Sequence, residues 1–432
     1  MPKAAKNILE LCTRILSKHA LCDRCLGRQF HLLDEEEDNE VIGASLKRAL
    51  YLDQSASLQG GKTESLRVLR RLAASGYRPS ELAVRAQTGK ETEVEPCPIC
   101  GGELFGYMRD LIAKATSETH KYQHHTFQMG SRIPRRIVGA DDEIKIMYQL
   151  PHGENIKTEF NRLMAKQLSE STKCVPMFSG EPNISVTVDP INKSVEVAAS
   201  PIYIAGRYRK LKSGVSQTRK RGLDPLRSVE GMLVAVFVPA LKAVDVKFHG
   251  AGREDVDALM LGNGRPFILE VLAPKKRRVS LSKLQRKFNR KFGRSVEIRS
   301  LKPTIRSGIV RLKMGGERFE KRYRIIVHVD QMPSDEKLHE VETLATGLMI
   351  EQRTPQRVAW RRADKIRRRV IRSLKLRKMG ENKLEAIVQT QAGTYVKEFV
   401  TGDEGRTKPS LSELLNTPAK WEALEVLQIL GG

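Results

Sequence analysis

The chain is predicted to be an α+β protein of two domains, 1–215 and 216–432, and three observations carry the prediction. Short Val- and Ile-rich segments of period two alternate with segments whose apolar residues recur at helical spacing. A polar, basic stretch from Lys212 to Leu226, with Gly214, Gly222 and Pro225, separates two such sets and marks the boundary. Two Cys-x-x-Cys pairs lie in the first half, whereas the surplus positive charge lies in the second.

The first element runs from Asn7 to His19, where Ile8, Leu11, Cys12, Ile15 and Leu16 fall on one helical face. It leads into Cys22-Asp23-Arg24-Cys25, and after helical stretches around Ala44 to Leu52 and Thr63 to Ala74 comes Cys97-Pro98-Ile99-Cys100-Gly101-Gly102. Glu10, Arg14 and Lys18 interrupt the apolar residues near the N-terminus, so no signal peptide is expected and a cytoplasmic, reducing home follows. There, cysteines are read for metal before disulfides. Cys22, Cys25, Cys97 and Cys100 form a four-thiolate set suited to one structural, tetrahedral Zn²⁺, with Pro98, Gly101 and Gly102 supplying the turn. Cys12 and Cys174 read as small core residues, and His124 and His125 as surface histidines.

Thr158 to Glu170 places Phe160, Leu163, Met164 and Leu168 on one helical face. Ile184 to Val188 and Ser194 to Ala198 alternate as a hairpin joined by Asp189-Pro190-Ile191-Asn192-Lys193. The Arg-, Tyr- and Lys-rich stretch Ser200 to Lys212 then closes the first domain as a phosphate-holding edge.

In the second domain a strand, Ala243 to Phe248, enters the Gly-flanked turn His249-Gly250-Ala251-Gly252, which delivers Arg253-Glu254-Asp255 and Asp257. A second turn, Gly262-Asn263-Gly264, leads into the apolar run Phe267 to Leu272. Leu281 to Lys291 reads as a strongly basic helix, Ile309 to Lys313 and Arg324 to Val329 as strands, Arg361 to Lys378 as a basic helix with a narrow apolar stripe, and Glu385 to Gln391 as a strand ended by Ala392-Gly393.

The net charge is +25, and residues 201–400 hold 46 Lys or Arg against 20 Asp or Glu, so the whole excess sits in one block. Such a field collects polyanions. At 5% aromatic content a single-strand stacking platform is disfavoured, and a folded RNA fits better. In that basic field the acidic island at 254–257 stands out, because a carboxylate held among arginines stays ionised as a nucleophile or base. Asp255 and Asp257 are rivals for that part. No membrane-length apolar run, no phosphate loop, no dinucleotide fingerprint and no Ser/His/Asp pattern occurs. Those absences leave RNA base or sugar chemistry run by side chains.

Three stretches resemble the motifs of pseudouridine synthases: Gly252-Arg253-Glu254-Asp255, Glu320-Lys321-Arg322-Tyr323-Arg324, and Gly393-Thr394-Tyr395-Val396-Lys397. With the cysteine pairs and an Ile184 to Leu211 segment similar to the end of a THUMP RNA-binding module, the chain resembles archaeal and eukaryotic tRNA pseudouridine synthases along most of its length. The resemblance implies a zinc-containing, THUMP-like α/β domain and a catalytic domain with a mixed, mainly antiparallel sheet flanked by helices. It implies an isomerase that needs no cofactor, acting as a monomer on the TΨC arm of tRNA at uridine 55, with uridine 54 as a further target. Asp255 is then the nucleophile, Tyr323 stacks on uracil, Tyr395 and Arg253 contact the substrate, Leu411 packs under the ring, and Lys397 holds Asp255 ionised. Bacterial relatives carry arginine where Lys397 stands, which leaves Arg406 open as the main partner. Two other readings stay open at this point: a tRNA-binding adaptor, and a THUMP-type methyltransferase or thiolating enzyme.

Overall fold

The computed structural model describes residues 8–430 apart from 103, 317 and 361, so Asn7 and Arg361, which open two of the expected helices, lie outside the described residues. The chain divides into two compact units, Met1–Ser200 and Pro201–Gly432.

In the first unit the helix Ile8–Leu16 buries Cys12, Ile15 and Leu16, as its spacing predicts. A longer helix than expected, Asn39–Gln59, starts at Asp38, whose side chain accepts from the Glu40 N–H. It crosses the short helix Asp23–Arg28 at backbone distance: a Cβ on Gly27 would sit 1.8 Å from the Asn39 carbonyl oxygen, and one on Gly43 would sit 1.8 Å from that of Asp23. Those two glycines let the helix bearing Cys25 seat itself. The sheet comprises β1 (Thr126–Ser131), β2 (Val175–Pro176), β3 (Ile184–Asp189) and β4 (Ser194–Ala199), in the order β2-β1-β3-β4. The β3–β4 hairpin forms as predicted, with Val186 opposite Val197. Helices Met108–Thr119 and Ile156–Thr172 pack on this sheet, and Phe160, Met164 and Leu168 are buried.

The second unit is built on a sheet of β5 (Ile202–Lys210), β6 (Asp245–Gly250), β7 (Leu259–Leu272), β8 (Val296–Thr304), β9 (Glu320–Val329), β10 (Met349–Arg353), β11 (Ile366–Lys378), β12 (Lys383–Thr390), β13 (Thr407–Lys408) and β14 (Ala419–Leu430). The order is β13-β10-β11-β12-β9-β14-β7-β5-β8, with β6 added to β7. β14 runs parallel to β7 while the other pairs described are antiparallel, so the sheet is mixed and mainly antiparallel. Among the described residues no helix is long and apolar enough to cross a membrane.

Three expectations are corrected. Ser200 to Lys212 is no cap on the first unit. It forms β5, hydrogen-bonded on one side to β7 and on the other to β8, so the two units part at Ser200 and not near Lys212. Ile309 to Lys313 lies in a helix, Ser307–Gly316, because so short an apolar run fits either period. The expected helix over Arg361 to Lys378 is β11, paired with β10 and β12. Its helix-like spacing has a physical source: a register shift between Ile371 and Ser373 inserts a bulge, so Ile371 and Leu374, three apart, are both buried.

Candidate active site and metal centre

The turn between β6 and β7 is held by its own carbonyls. Arg265 donates to Ala251 O at 2.6 Å, Gln217 to Gly252 O at 2.9 Å, and the buried Lys210 ammonium to Asp255 O and Val256 O at 2.9 and 3.0 Å. Gly252 takes φ +79°, the left-handed region that favours glycine. Beneath the turn the buried Glu254 carboxylate meets Arg265 Nε at 2.7 Å and accepts from the Tyr208 hydroxyl at 2.7 and 2.8 Å. The acidic island is therefore a fixed structure, and Glu254 is set apart from Asp255 and Asp257 by its burial.

Asp255 faces a cavity of about 630 Å³, within the usual range for ligand pockets. Its carboxylate lies 3.2 Å from Arg357 NH1 and 3.5 Å from Lys397 Nζ. Lys397 is bonded more closely to Asp257, at 2.9 and 2.7 Å, and its ammonium rests 4.0 Å from the Trp421 ring centroid. Partial burial would raise the Asp257 pKa, but the Lys397 hydrogen bond and charge outweigh it and hold the carboxyl below its usual range. Arg357, from the short helix Gln356–Ala359, also holds Glu398 through Nε at 2.6 Å. Arg406 turns elsewhere, donating to Thr354 O at 2.7 Å and pairing with Asp364 at 3.0 Å. Arg357 carried no sequence signal, since it is one arginine in a basic stretch outside the three motifs.

Tyr323 from β9 and Tyr395 both line the same cavity, as does Arg253 at its exposed rim. Burial, with the Asp255 charge adding to it against Arg265, pushes the Tyr323 phenol up to about 12, so its hydroxyl stays protonated. Tyr395 follows the turn at Gly393, φ +78°, and its backbone is clamped by the Gln352 amide, which accepts from Tyr395 N at 2.8 Å and donates to Tyr395 O at 2.9 Å. Arg362 donates to the Tyr395 hydroxyl at 3.1 Å. After the turn the chain enters a short helix, Val396–Thr401, which bears Lys397. The structure places Leu411 outside the cavity, buried in the core at the start of the helix Leu411–Leu415, while Ala258, Val358, Val396, Leu424 and Val426 supply the apolar lining. Lys321 lines the cavity as well, and burial, followed by the Arg265 charge, pushes its ammonium down to about 8.

In the first unit the sulfurs of Cys22, Cys25, Cys97 and Cys100 all lie within 4.8 Å of one another. Tetrahedral Zn–S bonds of about 2.3 Å put sulfurs about 3.8 Å apart, so the set fits a closed metal centre. Cys22 and Cys100, from different pairs, are 3.6 Å apart, which shows that the two motifs converge across the long intervening segment. Among the described residues His124 and His125 are not part of that group. Cys12 and Cys174 are buried, as expected of small core residues.

Comparison with known proteins gives the family. The family described as Pus10, C-terminal matches residues 203–429, and that described as Pus10 THUMP domain, archaeal matches residues 111–189. A protein named tRNA pseudouridine synthase Pus10 from Thermofilum pendens is 34% identical across 96% of this chain and 94% of its own. Another of that name from Methanocaldococcus jannaschii is 36% identical, covering 98% and 95%. Among solved structures, a crystal structure of a Cbf5–Nop10–Gar1 complex overlaps 52% of this chain and 58% of that one, at 16% identity and a TM-score of 0.29, too low to build on. The chain is an isomerase of the pseudouridine synthase class. It belongs to the Pus10 family. The THUMP match ends at residue 189, short of the Leu211 expected from the resemblance, in keeping with β5 being part of the second unit's sheet.

Proposed function

We propose that this chain converts uridine to pseudouridine in the TΨC arm of cytoplasmic tRNA, at position 55 with position 54 as a further target, one chain acting on one tRNA and Asp255 serving as the nucleophile. One observation carries the reading: the Asp255 carboxylate, on a turn whose Ala251, Gly252, Asp255 and Val256 carbonyls are tethered, shares a cavity with Tyr323 and Tyr395 while Arg357 and Lys397 approach it within 3.2 and 3.5 Å. The carboxylate attacks the nucleoside and the glycosidic C1′–N1 bond breaks. Uracil then rotates within the cavity, C1′ bonds to C5 as its bond to the Asp255 carboxylate breaks, the hydrogen on C5 is lost and N1 takes up a proton. Nothing is oxidised or reduced, and no group leaves the RNA. Base stacking on a tyrosine is worth about 1 to 3 kcal/mol, comparable with the few kcal/mol needed to unstack the target nucleotide.

Four thiolates and no open position suit a structural Zn²⁺ held by Cys22, Cys25, Cys97 and Cys100. The test of the reaction is Asp255→Ala. Tritium release from C5-labelled uridine in tRNA should disappear while tRNA binding survives; persistent release would remove Asp255 from the mechanism.

A further inference from the structure

The second unit carries two strongly basic elements, and the structure separates them. On β11 five of the seven cations are answered by carboxylates: Arg368 by Glu351 at 2.9 Å, Arg372 by Glu320 at 2.6 Å, Lys375 by Glu342 at 2.9 Å, Arg377 by Glu385 at 2.9 Å and Lys378 by Asp335 at 2.8 Å. The helix Leu281–Phe292 is different. It contains no acid, its Lys283, Arg286, Lys287, Arg290 and Lys291 are all exposed, and among the described residues none of the five has an ion-pair partner.

These five recur at i, i+3, i+4, i+7 and i+8, so they share one face over about 12 Å of helix. The adjoining face buries Leu284 and Phe288. Asn289 bolts the helix to the sheet edge, donating to Ile298 O at 2.9 Å and accepting from Ile298 N at 2.8 Å. The direction of the cationic face is thereby fixed. Its composition costs stability: Lys283 with Lys287, Arg286 with Arg290, and Lys287 with Lys291 are like charges at i, i+4, and Lys283 sits in the first turn, where the helix dipole disfavours cations. An anionic partner removes that repulsion.

We infer that the outer face of the helix Leu281–Phe292 is a docking track for the phosphate backbone of the RNA substrate, outside the cavity that takes the target nucleotide. The inference rests on the reading of the substrate as tRNA. RNA is favoured over a lipid surface because the face carries no exposed apolar side chain that could enter a bilayer.

The full-length protein is tested by tRNA binding across a salt series. A Lys283→Gln, Lys287→Gln, Arg290→Gln triple variant should weaken binding about tenfold or more and lower the slope of log K against log salt by about 2 to 3. A control triple on β11, Arg368→Gln, Arg372→Gln, Lys375→Gln, changes the net charge equally and should leave the slope near that of the unmodified protein. The helix triple should also unfold at the same or a higher temperature, since it removes like-charge pairs. An unchanged slope, an equal loss in the β11 control, or lost binding to anionic lipid vesicles with tRNA binding intact would each overturn the track. Pseudouridine formation by the unmodified protein on the same tRNA is read in parallel: no product defeats the functional reading, whereas product with an unchanged slope defeats the track alone.

Discussion

Arg357 donates to the Asp255 carboxylate at 3.2 Å from 102 residues further along the chain, and the same guanidinium clamps Glu398 at 2.6 Å. Lys397, which the motif nominates as the aspartate's partner, stands slightly further from it and is bonded mainly to Asp257. Two cations thus approach Asp255, and the planar, forked one arrives from Gln356–Ala359. Replacing Arg357 with Met should lower kcat about 100-fold through misplacement of the carboxylate, with a smaller change in KM, and Arg357→Lys should recover part of the loss. Single-turnover kinetics on tRNA decide it, and an unchanged kcat would return the orienting role to Lys397.

Asp257 shares the Lys397 ammonium with Asp255. Its pairing with Lys397 is exposed on the acid side, and such pairs contribute about 0 to 1 kcal/mol. Asp257→Asn should therefore retain activity within about fivefold, while Asp255→Asn should have none. The reverse outcome in the same assay transfers the nucleophile's role to Asp257.

Glu254, next in the chain to Asp255, has an opposite environment: it is buried against Arg265 and the Tyr208 hydroxyl. Glu254→Gln leaves the Arg265 guanidinium charged and buried without its counter-ion, which should cost about 3 to 5 kcal/mol of stability. Urea unfolding measures the loss, and Asp255→Ala should show nothing comparable because Asp255 is partly solvated.

What the sequence made legible follows from range. The helix Ile8–Leu16, the β3–β4 hairpin and the cysteine pairs are local patterns, and each survives in the structure. β11 was misread because one bulge turns a two-residue period into a three-residue spacing between Ile371 and Leu374. The placement of β5 was misread because nothing in Ile202–Lys210 itself says which sheet supplies its partners. At the site, Asp255, Tyr323, Tyr395 and Lys397 were visible through short motifs and do share one cavity. Arg357 and the tethers Lys210 and Gln217 were not, since a long-range hydrogen bond leaves no periodic trace in the residues that make it. Leu411 shows the limit of transfer by motif: its apolar side chain went to the core.

The metal centre gives a separate prediction for the first unit. Four thiolates from residues as distant as Cys22 and Cys100 tie together segments far apart in the sequence, so binding energy becomes folding energy. Purified protein should carry about one Zn²⁺ per chain. Cys97→Ser or prolonged chelation should lower the unfolding temperature of this unit, and a metal-free chain of unchanged stability would leave the cluster without its ion.

Lys321 ties the cavity to pH. Burial lowers its pKa from 10.5 to about 8, so its ammonium is lost as pH rises through that value in the folded chain, whereas the unfolded chain keeps the proton to near 10.5. Between those two values the unfolded state binds more protons, so this group makes stability rise with pH; below about 8 both states are protonated and the cost of burying the charge is felt in full. Lys321→Met should therefore be more stable than the unmodified chain at neutral pH and should lack the alkaline rise. Lys321 lines the same cavity as Asp255, so on the proposed function affinity for tRNA should fall as pH passes about 8 in the unmodified protein and stay level there in Lys321→Met. Parallel unfolding and binding titrations from neutral to alkaline pH read both effects, and identical pH profiles for the two proteins would show that Lys321 does not titrate in this range.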